Sequence, residues 1–95
     1  MITLAAASAA RPRSDHASIV EISDGRLMIA YIEFCGDNQL VGHDHAPSRI
    51  VSMLSNDGGK TWGEHRVLAE TAPADTNVYN PCFLRLTSGE ILLHF

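Results

Sequence analysis

The stretch Ser55-Asn56-Asp57-Gly58-Gly59-Lys60-Thr61-Trp62 decides how this 95-residue chain is read. Its two adjacent glycines permit the positive φ angles that a tight turn requires. A carboxylate at Asp57 can accept hydrogen bonds from backbone N–H groups of the turn, Thr61 can close the hairpin, and Trp62 can return over the hydrophobic edge of the sheet. The octet is therefore read as a β-hairpin. Its arms are a strand from Arg49 to Ser55 and another from His65 to Ala69.

Strand signals continue upstream. Ala17 to Ile22 is rich in β-branched residues and stops at Ser23-Asp24-Gly25, a hairpin turn signature. Arg26 to Phe34 is a near-continuous apolar run, which predicts a strand buried on both faces. Gly36 to Pro47 is a polar loop, long for an all-β unit, and loops of that length are often functional. Thr71 to Asn77 is a second connection, where Pro73 and Asp75 oppose regular structure.

The pattern then restarts. At an offset of 64 residues, Ser18-Ile19-Val20-Glu21-Ile22 falls on Cys82-Phe83-Leu84-Arg85-Leu86, Gly25 on Gly89, Leu27-Met28-Ile29 on Ile91-Leu92-Leu93, and Tyr31 on Phe95. A recurring unit of four short strands is the sequence sign of a β-propeller blade, and the long 36–47 loop accounts for its excess over the commonest repeats of about 40–50 residues. The expected fold is all-β, a partial propeller of about one and a half blades. The first blade spans about 12–70 and the second begins at about 77–95, after a flexible segment over 1–11. The second copy breaks off inside its second strand, which reads as truncation of a longer protein. Such a piece is expected to be marginal alone unless copies associate. Tyr31 and Phe95 are expected in the core.

Composition excludes several classes. A net charge of −4 and seven basic residues scattered from Arg11 to Arg85 leave no stripe for nucleic acid. No run approaches the roughly 18 apolar residues of a membrane-spanning helix. Cys35 and Cys82 lack metal-type spacing and are read as buried free thiols, with a disulfide left open. Met1 to Ala10 is small and apolar, like the tail of a secretory leader, but has no basic start. The compartment stays open, with a secreted or periplasmic location slightly favoured.

Ser55-x-Asp57-x-Gly59-x-Thr61-Trp62 resembles the Asp-box of sialidases and related propellers at every defined position. The likeness extends to the frame from Pro12 to Leu27, to Gly42-His43-Asp44-His45, and to Asn77 through Ile91. It implies a six-bladed propeller of a sialidase-like glycoside hydrolase, with a carbohydrate substrate and no cofactor. In that family an arginine triad holds the substrate carboxylate, an Asp is the acid/base, and a Tyr paired with a Glu is the nucleophile. On this chain the resemblance places the acid/base at Asp44, in the long loop, where shelter would raise its pKa toward a useful range. Arg13 is the nearest candidate for a carboxylate clamp, since a guanidinium offers the bidentate geometry. His16, His45, Asn77, Tyr79 and Asn80 are the remaining candidate sugar contacts. The nucleophile and the other arginines would lie beyond Phe95.

Two features temper that reading. Sialidases carry Arg-Ile-Pro directly before the first strand, and here the aligned residues are Asp15, His16 and Ala17. This departure leaves the sugar open and supports an alternative, a non-catalytic Asp-box propeller that binds glycans or proteins. The Asp-box itself (Ser55, Asp57, Gly59, Thr61, Trp62) is read as structural. His43, Asp44 and His45 with the distant His16 hint at zinc, but no full ligand set is visible, so no metal is expected.

Overall fold

The computed structural model describes residues 1–35, 46–72, 75 and 77–95. Asp44 and His45, with His43, lie outside the described residues. The chain is all-β, without a helix among the described residues, and forms two antiparallel sheets. The first is a four-stranded meander of β1 (Arg13–Glu21), β2 (Leu27–Phe34), β3 (Ser48–Ser55) and β4 (Gly63–Glu70), in that spatial order. The second pairs β5 (Cys82–Arg85) with β6 (Ile91–His94). The all-β expectation holds, with strand limits close to those read from the apolar runs. The exception is β1, which starts four residues earlier, at the polar stretch Arg13-Ser14-Asp15-His16.

The internal repeat is reproduced bond by bond. Ser18 pairs with Ala30 and Ile19 with Ile29; at the same offset Cys82 pairs with His94 and Phe83 with Leu93. The turns match as well. Ile22 N–H donates to Arg26 O and Gly25 N–H to Ile22 O, while Leu86 N–H donates to Glu90 O and Gly89 N–H to Leu86 O. Gly25 and Gly89 sit at φ 85° and 91°, a conformation that strains any residue with a Cβ.

β2 is the central strand, paired on both edges and buried on both faces from Ile29 to Phe34. Alternation along β2 and β3 divides the core in two. On one face Ala30, Ile32, Phe34 and Ile50 form a buried cluster, against which Phe83, Leu93, Val78 and Tyr79 pack from the second sheet and its approach. On the other, Ile29, Tyr31 and Val51 pack with Leu4, Met53 and Trp62. The joint between the sheets is stitched by polar bonds. Ser48 Oγ donates to Val78 O at 2.8 Å and accepts from Val78 N–H at 2.9 Å, and Phe83 N–H donates to Ser18 Oγ at 3.1 Å.

Three expectations are corrected. Cys82 is an exposed thiol, because it lies on the face of the second sheet that none of the described residues covers; Cys35 is half-buried, and both are free. Phe95, equivalent to the buried Tyr31, is exposed. Tyr31 is flanked by Ala17 and Val51 on neighbouring strands, whereas Phe95 follows the last paired residue of β6, beside which no third strand lies among the described residues.

Candidate functional site

The octet folds as its chemistry requires. Asp57 Oδ1 accepts from Thr61 N–H at 2.9 Å and from Ser55 Oγ at 2.8 Å, and Asp57 Oδ2 accepts from Thr61 Oγ1 at 2.6 Å. Ser55 Oγ in turn accepts from Gly59 N–H at 2.9 Å, and Trp62 Nε1–H donates to Gly59 O at 3.0 Å. Gly58 and Gly59 take φ 72° and 90°. The Thr61 hydroxyl, then the Thr61 N–H and the Ser55 hydroxyl, hold the Asp57 carboxyl down at about 2. A carboxyl lowered in the native state stabilises it above the unfolded value and ceases to do so as pH falls through the native one. Acid is therefore expected to loosen this hairpin between pH 3.8 and about 2. Amide exchange at Gly59 and Thr61 checks it, and Asp57→Asn should abolish that pH step.

The hairpin is far from the other candidates. β3 runs antiparallel to β2, so Ser55 faces Leu27 at one end and Ser48 faces Phe34 at the other. Eight residues of strand separate the two ends by about 23 Å. The hairpin is architecture.

At the Phe34 end the strand entrances meet. The Arg13 guanidinium lies 4.0 Å from the Phe34 ring centroid, a cation–π contact. Tyr79 stands edge-on to Phe34, with centroids 5.9 Å apart, and edge-on to His16 at 6.4 Å. Asn77 is half-buried and Asn80 exposed, on either side of Tyr79 in the chain. Thus Arg13 and Tyr79 of the sequence-derived set meet at the Phe34 ring, His16 meets Tyr79, and Asn77 and Asn80 flank Tyr79 in the chain. Asp15 belongs with them: its carboxylate accepts from His16 N–H at 2.9 Å and pairs with Arg13 Nη2 at 3.4 Å. The backbone is bent here. His16 is the extra residue of a bulge between Asp15 and Ala17, at φ 36°, and Asn80 takes φ 54°. These two left-handed non-glycine residues are 64 positions apart, at repeat-equivalent points, His16 at the bulge within β1 and Asn80 two residues before β5. Such conformations cost of order 1–3 kcal/mol and recur where side chains are aimed at a ligand.

A second polar cluster was missed from sequence. Glu33 is 2% exposed on β2, and its carboxylate ties three strands together. Oε1 accepts from Arg49 Nη2 at 2.9 Å, Oε2 meets His65 Nε2 at 2.8 Å, and Arg11 Nε approaches Oε1 at 3.7 Å. Burial pushes the carboxyl up, but the hydrogen bonds from Arg49 and His65 and the Arg49 charge outweigh it, so the carboxyl stays below the usual range. The available signal was the lone charge in Leu27–Phe34: a Glu inside a doubly buried strand must find partners. Glu33 and His65 line a cavity of about 310 Å³ with Arg11, Ser14, Tyr31 and Met53.

Among the described residues no group of three or more His, Cys, Asp or Glu side chains is placed to hold a metal ion, and no helix is long and apolar enough to cross a membrane. Comparison with protein-family models, curated proteins and solved structures finds no significant match to this chain.

Proposed function

We propose that this chain is part of a sialidase-like β-propeller glycoside hydrolase that removes a terminal acidic sugar by acid/base catalysis. The observation that carries the reading is the convergence of two repeat-equivalent strand entrances, Arg13–His16 and Asn77–Asn80, around Phe34 and Tyr79. The four-stranded meander with its Asp-box-like hairpin, followed by a second pair of strands in the same register, supports the propeller. In this reading Arg13 orients the sugar carboxylate, and His16, His45, Asn77, Tyr79 and Asn80 contact hydroxyls. Asp44 protonates the leaving oxygen and then activates water.

The test is release of fluorophore, by the full-length protein that carries this chain, from sialosides and from glycosides of other acidic sugars. Turnover that falls about 10²-fold or more in Asp44→Asn supports the proposal. Absence of turnover on all of these substrates overturns the hydrolase, and unchanged turnover in Asp44→Asn removes Asp44 from its role. One observation favours a second reading, a propeller that binds glycans or proteins without cleaving them. The residues aligned with Arg-Ile-Pro are Asp15, His16 and Ala17, at the bulge in β1, and Asp15 already engages Arg13. Saturable shifts of the His16 and Tyr79 resonances by sugars, without turnover, would mark that case.

A further inference from the structure

The Glu33 cluster plays no part in the glycosidase chemistry proposed above, and its position on the sheet keeps it apart. Glu33 and Phe34 are neighbours on β2, so their side chains leave opposite faces, and the candidate sugar site lies on the Phe34 side. On the Glu33 side, the cavity of about 310 Å³ has a floor of strand residues that includes Ser14, Tyr31, Glu33 and His65. Residues of the segment 4–11 form its roof. That volume is at the lower end of the about 300–1,000 Å³ usual for ligand cavities.

Three features of the wall select one kind of occupant. The first is an unmatched donor. Tyr31 is 4% exposed, yet its hydroxyl meets only the thioether of Met53, at 3.8 Å, among the described residues. A buried phenol ordinarily finds an oxygen or nitrogen partner. Burial, then the charge of Glu33, pushes its pKa up, so the hydroxyl is kept as a donor. The second feature is an imbalance of charge. Two guanidiniums, Arg11 and Arg49, and the His65 imidazole gather on one carboxylate. Arg49 and His65 satisfy it at 2.9 and 2.8 Å. Arg11 stands off at 3.7 Å and approaches through Nε, which leaves its two Nη groups to donate elsewhere. The third feature is apolar: Leu4, Ala5 and Ala6 line the roof.

We infer that this cavity binds a small carboxylate with a short hydrocarbon tail, the anion held between the Arg11 guanidinium and the Tyr31 hydroxyl and the tail against Leu4, Ala5 and Ala6. A carboxylate has about four lone-pair directions, enough for a bidentate pair from the guanidinium and a third bond from the phenol. A cation gains little here, because the oxygens of Glu33 already serve Arg49 and His65. The occupant also ties roof to floor, since Arg11 belongs to the covering segment and Tyr31 to β2. The site stands whether or not the protein cleaves a sugar.

Titration of the full-length protein that carries this chain with sodium butyrate at neutral pH tests this. Calorimetry measures the affinity, and saturation-transfer NMR reports contact with the alkyl tail. Butyrate should bind with a Kd between about 0.1 and 10 mM. Butyramide, of the same shape without the charge, should bind about 10-fold or more weakly. Tyr31→Phe keeps the ring and removes only the hydroxyl, and Arg11→Gln alters a half-exposed side chain. Each should weaken butyrate about 10-fold or more. The two variants change opposite walls, so if one fails to fold the other still decides. No saturable binding up to about 50 mM, meaning that the cavity holds water, overturns the inference. Equal affinity for butyramide does so too, since the slot is then merely apolar. Butyrate binding that either folded variant retains unchanged places the anion elsewhere and overturns it as well.

Discussion

Replacing Phe34 by alanine is expected to cost about 3–5 kcal/mol, the range for removing a large buried aromatic side chain. Phe34 is fully buried, belongs to the inner-face cluster, and is the ring on which Tyr79 and Arg13 converge. Its loss leaves a cavity where the two sheets meet, and the neighbours cannot close it: Ile32 and Ile50 are held in the register of paired strands. A chain of this size has about 5–14 kcal/mol of stability in all, so Phe34→Ala should populate the unfolded state visibly. Denaturant titration followed by far-ultraviolet circular dichroism measures the change. Phe34→Leu, which refills much of the volume, should recover at least half of the loss. If alanine costs under about 1 kcal/mol, the sheets are not joined through this ring.

The second large effect concerns Glu33. Glu33→Ala removes the carboxylate that Arg49 and His65 share, leaving a half-buried guanidinium and imidazole without it. Breaking a fully buried pair costs about 3–5 kcal/mol, and the partial exposure of Arg49 and His65 reduces the expectation to about 2–3 kcal/mol. Glu33→Gln keeps the volume and one acceptor, and should cost about half as much. The pH dependence separates a charge effect from a packing effect. The native carboxyl lies below its ordinary 4.5, so the unfolded chain takes up protons first as acid is added. The stability Glu33 contributes is complete above pH 4.5 and is lost below it. Glu33→Gln should flatten that part of the stability profile and leave the more acidic step from Asp57 in place. A wild-type profile flat across this range would show that the cluster adds no charge-dependent stability.

The strands and their order were legible because each is bounded by turn chemistry that admits few alternatives. Asp24-Gly25, Ser88-Gly89 and the Asp57-Gly58-Gly59 turn fix three hairpins, and hairpins leave little freedom in a meander. The repeat was legible for the same reason, since Gly25 and Gly89 hold one conformation in two copies. The polar start of β1 was not legible, because Arg13-Ser14-Asp15-His16 has no apolar alternation and is held as a strand by its partners Ile32, Glu33 and Phe34. Nor was the Glu33 cluster. Its partners lie 16 and 32 residues downstream, and only the strand register brings them together. In the candidate site, Arg13, His16 and Tyr79 could be picked out by their place ahead of the apolar run of each first strand. The meeting of Arg13 and Tyr79 at the Phe34 ring, and of His16 with Tyr79, depends on how the sheets stack, which no local pattern encodes.

Trp62, whose indole sits over Gly59 at the hairpin end of the first sheet, is the only tryptophan in the chain. Its emission is therefore a built-in optical probe with a defined address. The indole packs against the outer-face cluster of Ile29, Tyr31 and Val51, so its spectrum will respond when the hairpin opens or when that face changes solvent. It stands about a strand's length from Arg13 and Tyr79 and should stay silent when a sugar meets them. One fluorophore can thus report opening of the hairpin without confusion with a ligand that meets the strand entrances.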